Sequence, residues 1–314
     1  MKKSLTPPVK WMRRLLTLLV LSLLLVSCRQ SPTSSKTLKL LSPSGAPSLS
    51  TIPLFDQQDI DVEITTGSDF VQAALVNPVK EYDFIIAPIN LGIQLQQNEK
   101  TAYKLHSVIS WGNLYLVGDP NAFELSGVTI AAFGQHAIVG KVFEQIVQQD
   151  ALFDHSTIEW YAHVNQAQAM LLGEQAQMAL LAMPAAQATI IKAKELGHDL
   201  ELLLDIQQRY QQYFGRDNFP QAALFVHTDS YNQHAEKMEY WIAEMKYFID
   251  NPVNLEQRIE EIGLETLGLP SASLILATYD QLALDVVKAQ PITQELVQFF
   301  EMMDVQLKED YIIP

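Results

Sequence analysis

Three short segments combine residue types that can hold an anion without a basic side chain: Ser44-Gly45-Ala46, Thr66-Gly67-Ser68 and Gly134-Gln135-His136. Each follows an apolar run and precedes a stretch of helical periodicity, so each is expected to end a strand and open a helix. The first turn of a helix carries unpaired N–H groups and partial positive charge, which suit a carboxylate, sulfonate or phosphate group. Pro88-Ile89-Asn90 and Met183-Pro184-Ala185 stand at the matching ends of two further apolar runs. Ordinary strand-to-helix turns call for the same residues, so specificity comes only from the segments facing one cleft together. On that basis Ser44, Gly45, Thr66, Asn90, Gly134, Gln135, His136 and Met183 are candidate ligand contacts. Trp111 and Asn113 complete the set. Trp111 either closes over a ligand or fills a seam between lobes, and Asn113 either holds a ligand or bridges crossing backbone.

Catalytic chemistry has little footing. The histidines (106, 136, 155, 163, 198, 227 and 234) are scattered, with no HExxH and no carboxylate at ligand spacing, so no metal site is expected, His155 and His163 included. There is no GxSxG and no Walker-type loop. Glu260-Glu261 lies on a charge-rich helical stretch and reads as solvated. No catalytic residue and no cofactor is assigned, and the chain is expected not to be an enzyme. The competing readings are a surface-tethered enzyme with His136 as base and a sensory lipoprotein.

The elements that must position these residues alternate. Leu38–Leu41, Asp61–Thr65 and Phe84–Ala87 read as strands, with helices over Ala46–Phe55 and Asp69–Val76, the latter capped by Ser68. This order predicts a parallel sheet with right-handed crossovers. The run Leu105–Val117 is too long for one strand and carries Trp111-Gly112-Asn113 in its middle, as a strand passing between lobes would. The series restarts with strands at Gly127–Ala132, Ile158–His163 and Gln177–Ala182. Helices are expected at Ala137–Gln149, at Gln166–Gly173 with Asn165 as cap, and at Ala185–Leu196 ending on Gly197. Ala222–His227 reads as the return crossing. The remainder is mostly helical: Tyr231–Asp250 capped by Ser230, Leu255–Thr266 and Pro291–Asp304, with a short apolar segment at Ser271–Thr278.

The N-terminus places the protein. Five basic residues precede the 12-residue apolar run Leu15–Val26, which leads into Leu25-Val26-Ser27-Cys28. That run is shorter than the ~20 residues a spanning helix needs, so residues 1–27 read as a signal peptide. The last four residues resemble a bacterial lipobox, with lipid (palmitate among its chains) on Cys28 as the sole membrane attachment. Residues 28–36 form a polar tether. Cys28 is the only cysteine, so the body has no internal disulfide. Loss of the leader leaves 16 basic against 36 acidic residues, a charge of −20. Such a surface repels nucleic acid.

The lipobox, Ser44-Gly45-Ala46-Pro47, the Tyr82–Asn90 strand with its APIN end, GNLYLVG (Gly112–Gly118) and Phe219-Pro220-Gln221-Ala222 together resemble an ABC-transporter solute-binding lipoprotein of the nitrate/sulfonate/taurine/thiamine-precursor type. The resemblance implies the type II periplasmic-binding fold: two Rossmann-like α/β lobes joined by two crossing strands. Residues 37–115 and 228–314 would form lobe I, and residues 119–224 lobe II. It also implies a small-molecule ligand in the cleft, permease and ATPase subunits as partners, a monomer, and a place on the extracytoplasmic face of the cell membrane. No Arg occupies the candidate junctions, which weakens the case for a free sulfonate and leaves room for a neutral heterocycle or pyrimidine. The cysteine-rich motif of the thiamine-pyrimidine synthase that shares this fold is missing here.

Overall fold

The computed structural model describes residues 37–125 and 127–314; the expected leader, Cys28 and the whole expected tether, residues 28–36, lie outside the described residues. β1 (Leu38–Pro43), β2 (Ile60–Thr65) and β3 (Phe84–Pro88) are the expected short apolar strands. β4 (Tyr103–Trp111) stops at Gly112-Asn113, and β5 (Leu114–Gly118) begins at once in a different sheet. Then follow β6 (Val128–Phe133), β7 (Ser156–Tyr161), β8 (Met178–Ala182) and β9 (Glu201–Asp205). β10 (Pro220–His227) and β11 (Leu284–Lys288) return to the first sheet.

The first sheet has the order β11-β4-β10-β3-β1-β2 and the second β7-β6-β8-β5-β9. Both are mixed rather than parallel. β1 runs parallel to β2 and β3, but β10 is antiparallel to β3 and β4, and β5 is antiparallel to β8 and β9. Residues 220–224 pair within the first sheet along with the rest of β10.

The helices are α1 (Ala46–Leu49), α2 (Ser68–Val76), α3 (Ile89–Gln97), α4 (Ile138–Val147), α5 (Val164–Leu172) and α6 (Ala185–Leu196). They continue with α7 (Ile206–Phe214), α8 (Thr228–Asp250), α9 (Leu255–Ile262), α10 (Leu264–Leu267), α11 (Ala272–Ala277) and α12 (Thr293–Met302). Three expected caps are corrected. Gly67, not Ser68, precedes α2. His163, not Asn165, precedes α5, and its N–H donates to the Gln166 side chain at 3.2 Å. Ser230 lies inside α8, where its hydroxyl donates to buried Asp83 at 2.6 Å; a core partner outweighs a cap.

Alternation along the strands divides the interior. Leu40, Ile86 and Leu224 face α8 through Met238, Trp241 and Met245. Leu41, Ile85 and Phe225 face the other way, into a core that also holds Leu114, Leu116, Ile130 and Leu180 of the second sheet. A further core joins Leu49 and Ile52 to Tyr115, Val117 and Leu181 of the second sheet and to Leu267 and Ile275. Two sheets thus share cores, and residues 38–314 hold together as one compact unit.

Candidate functional site

The strand pairings fix where the turns point. β1 ends beside β2, with Pro43 opposite Thr65 and the Ser44 N–H donating to the Thr65 carbonyl at 2.8 Å. β3 flanks β1 on its other side and ends at Pro88, so the Ser44, Thr66 and Asn90 turns share one end of the first sheet. In the second sheet β6 ends beside β7, and Gly134 donates to the Tyr161 carbonyl. The end of β8 lies against the start of β5, with Ala182 opposite Leu114, which puts Met183 beside Asn113. Because β4 runs straight into β5, the carboxyl ends of both sets of parallel strands face the link between the sheets.

The candidates fare differently once placed. At Ser44-Gly45 the donors are already used: the Gly45 N–H and the Ser48 hydroxyl both donate to the Leu267 carbonyl, at 2.8 and 3.0 Å. Asn113 bridges backbone. Its Oδ1 accepts from the Met183 N–H at 2.7 Å and its Nδ2 donates to the Met183 carbonyl at 3.1 Å, with Met183 itself buried. Thr66, Gln135 and His136 are exposed, and Gln135 reaches only Glu144 at 3.4 Å. The Asn90 Oδ1 is buried and accepts no hydrogen bond. Such an orphan acceptor costs about 1–3 kcal/mol unless something supplies a donor.

Trp111 belongs to the seam. Its indole N–H donates to the Asp285 carbonyl at 3.2 Å and its backbone N–H to Ala283 at 2.8 Å. The next residue, Gly112, has φ +42°, and a Cβ there would stand 2.1 Å from the Asn218 Oδ1 and 2.4 Å from the Gln207 Cγ. Only glycine lets α7 and the second link, residues 215–219, approach this closely. Beside Trp111 opens a cavity of about 750 Å³, walled by the end of β4, the second link, the start of β11, Tyr210 of α7 and one side of α12. Sequence reading missed this place because Tyr210, Arg216, Asn218 and Phe299 converge from segments with no shared motif. The signal available was Gly215-Arg216-Asp217-Asn218, a polar turn directly before the return crossing.

No protein-family model matches the chain, and no curated protein matches its sequence. Solved structures do. An ABC transporter structure from Parabacteroides distasonis superposes with a TM-score of 0.71 at 14% identity, over 89% of this chain and 99% of that one. The periplasmic aliphatic sulphonate-binding protein SsuA of Escherichia coli gives 0.64 at 14% identity, over 90% and 92%. A ligand-binding component of an ABC-type import system from Staphylococcus aureus gives 0.65 at 10% identity, over 89% and 96%. The chain has the type II periplasmic-binding fold.

In this type II periplasmic-binding fold the cavity contributes the positive charge that the strand-end turns lack. Arg216 is half-buried and donates to the Gln298 Oε1 at 2.8 Å and to the Glu295 carbonyl at 3.4 Å. Tyr210 is fully buried; burial pushes its pKa up, and the neighbouring Arg216 guanidinium opposes that rise. Among the described residues no group of His, Cys, Asp and Glu could hold a metal ion, and no helix is long and apolar enough to cross a membrane.

Proposed function

We propose that the protein is the extracytoplasmic, lipid-anchored solute-binding component of an ABC-type importer. It captures a small molecule between its lobes and presents it to a permease driven by an ATPase. The observation that carries this reading is the opposition of the two sets of strand ends across two short links. That arrangement is a hinge with a ligand-sized gap beside it. A solute that touches both lobes stabilises the closed population by its differential affinity for that state, and the permease reads the closed shape. The names of the structural neighbours, a sulphonate-binding protein and a ligand-binding import component, support the same class. Cys28 at the end of the leader supplies the anchor, and residues 28–36 the tether.

A thermal-shift screen of the detergent-solubilised full chain against organic anions, nitrate, amino acids and pyrimidine precursors tests this. A solute held by the native state raises the melting temperature, by about 2.7 kcal/mol of stabilisation at a hundredfold excess over Kd. No shift with any class, or turnover of a solute that is lost in His136→Ala, would replace transport with another reading.

A further inference from the structure

The cavity beside Trp111 has three properties of a ligand site. Its volume of about 750 Å³ falls within the usual range for small-molecule pockets. Its walls offer flat and apolar surface: Trp111, whose ring is fixed by the bond to Asp285, and Phe299, Leu296 and Ile292 of the α12 side. And it holds a guanidinium bonded only to neutral oxygens, since the partners of Arg216 are an amide oxygen and a carbonyl. Among the described residues no carboxylate forms an ion pair with Arg216, in a chain with 36 acidic and 21 basic residues. Two acidic side chains of the lining are engaged elsewhere, Asp217 with Gln211 at 2.6 Å and Asp285 with Lys246 at 3.0 Å. Glu295 stands exposed on the α12 side, which disfavours a second negative charge on the occupant.

We infer that this cavity binds a small organic monoanion with a flat or apolar body, its oxyanion head on Arg216 and its body against Trp111 and Phe299. The inference rests on the solute-binding reading and deepens it, by naming the ligand class and moving the contact from the strand-end turns to the hinge. An occupant would touch β4, β10 and β11 of the first lobe and α7 of the second, so binding would restrain one lobe against the other. A guanidinium prefers planar two-oxygen heads, and its fork fits a carboxylate or a sulfonate alike.

Titration calorimetry of the full chain with benzoate, benzenesulfonate and the uncharged benzamide separates these. At least one anion is expected to bind, and benzamide about tenfold or more weakly, since a charge-assisted bond of this kind is worth at least that factor. Arg216→Gln should weaken the anion about tenfold and leave benzamide unchanged, while Asn90→Ala should leave both unchanged. Should Arg216→Gln fail to fold, Arg216→Lys keeps the charge but not the fork and should still bind several-fold more weakly, by about half a decade. Failure of both anions to bind overturns the inference, as does anion binding indifferent to Arg216→Gln. If anion affinity survives Arg216→Gln but falls in Asn90→Ala, the ligand sits at the strand-end turns and the solute-binding reading stands without this site. If neither anion nor any solute of the wider screen binds, both fall.

Discussion

The charged cluster around Glu239 shows how single residues set the pH response. Its Oε1 lies 2.9 Å from the His106 Nε2 and accepts from the Tyr231 hydroxyl at 2.8 Å, and its Oε2 pairs with Lys288 at 2.7 Å. Burial pushes the Glu239 pKa up, but the bonds from Lys288, His106 and Tyr231 outweigh it and hold the carboxyl at about 2. For buried His106 burial wins over Glu239 and lowers the imidazole pKa. Both shifts act in the same sense. A depressed carboxyl stabilises the fold above its unfolded pKa and ceases to as pH falls through the folded one; a depressed imidazole penalises the fold once pH drops below about 6.5. The native protein should therefore lose stability steadily on acidification below about pH 6.5. Glu239→Gln should cost about 1.5–3 kcal/mol near pH 7 and flatten the loss between about pH 4.5 and about pH 2, read from urea midpoints at each pH. Parallel curves for the two proteins would show that Glu239 does not carry the effect. None of this was legible in the sequence, where residues 106, 231, 239 and 288 have no common pattern. Asn113 was legible as polar and special, but which of its two roles held depended on Met183, 70 residues away.

Elements were legible in proportion to their apolar content. Strands buried on both faces, such as Leu38–Pro43 and Phe84–Pro88, announced themselves, and so did α6 with its Gly197 C-cap at φ 85°. β9, α7 and β11 went unread. β9 and β11 have half-exposed faces that blur their alternation, whereas α7, though rich in Gln, carries Ile206, Tyr210, Tyr213 and Phe214 at helical spacing, a local signal that sequence reading passed over. Packing between elements is equally invisible until folded. Gly92 in α3 lies under the Phe225 ring, where an added Cβ would stand 2.0 Å from Cζ. In a free helix Gly→Ala gains about 1 kcal/mol of propensity. Here the fully buried ring cannot yield, and overpacking costs about 1–3 kcal/mol. Gly92→Ala should thus destabilise by up to about 2 kcal/mol net in urea titration; a stabilised variant would mean the ring moves aside.

At the scale of the molecule, two sheets are sutured into one body. Besides the shared cores, α12 is tied to the second lobe along its length: Arg216 donates to Gln298, Lys141 to the Met303 carbonyl at 3.2 Å and Gln145 to the Met302 carbonyl at 2.7 Å. The core against which Trp160 packs and the core around Trp241 are joined because β1, β3 and β10 contribute side chains to both, so the two should unfold together. Fluorescence variants that retain only Trp160, by the second sheet, or only Trp241, by the first, should report coincident unfolding transitions. Separate midpoints would show that the lobes melt independently. The sequence by itself determined the alternation of strand and helix, the crossing at Trp111-Gly112-Asn113 and the acidic composition, because each is written in local periodicity or composition. The tertiary structure alone decided that the Leu267 carbonyl takes the Gly45 N–H, that Asn113 holds Met183, and that Arg216 meets Trp111 across a cavity. Those outcomes depend on contacts between segments far apart in the chain, and no local pattern encodes which distant partner a donor will find.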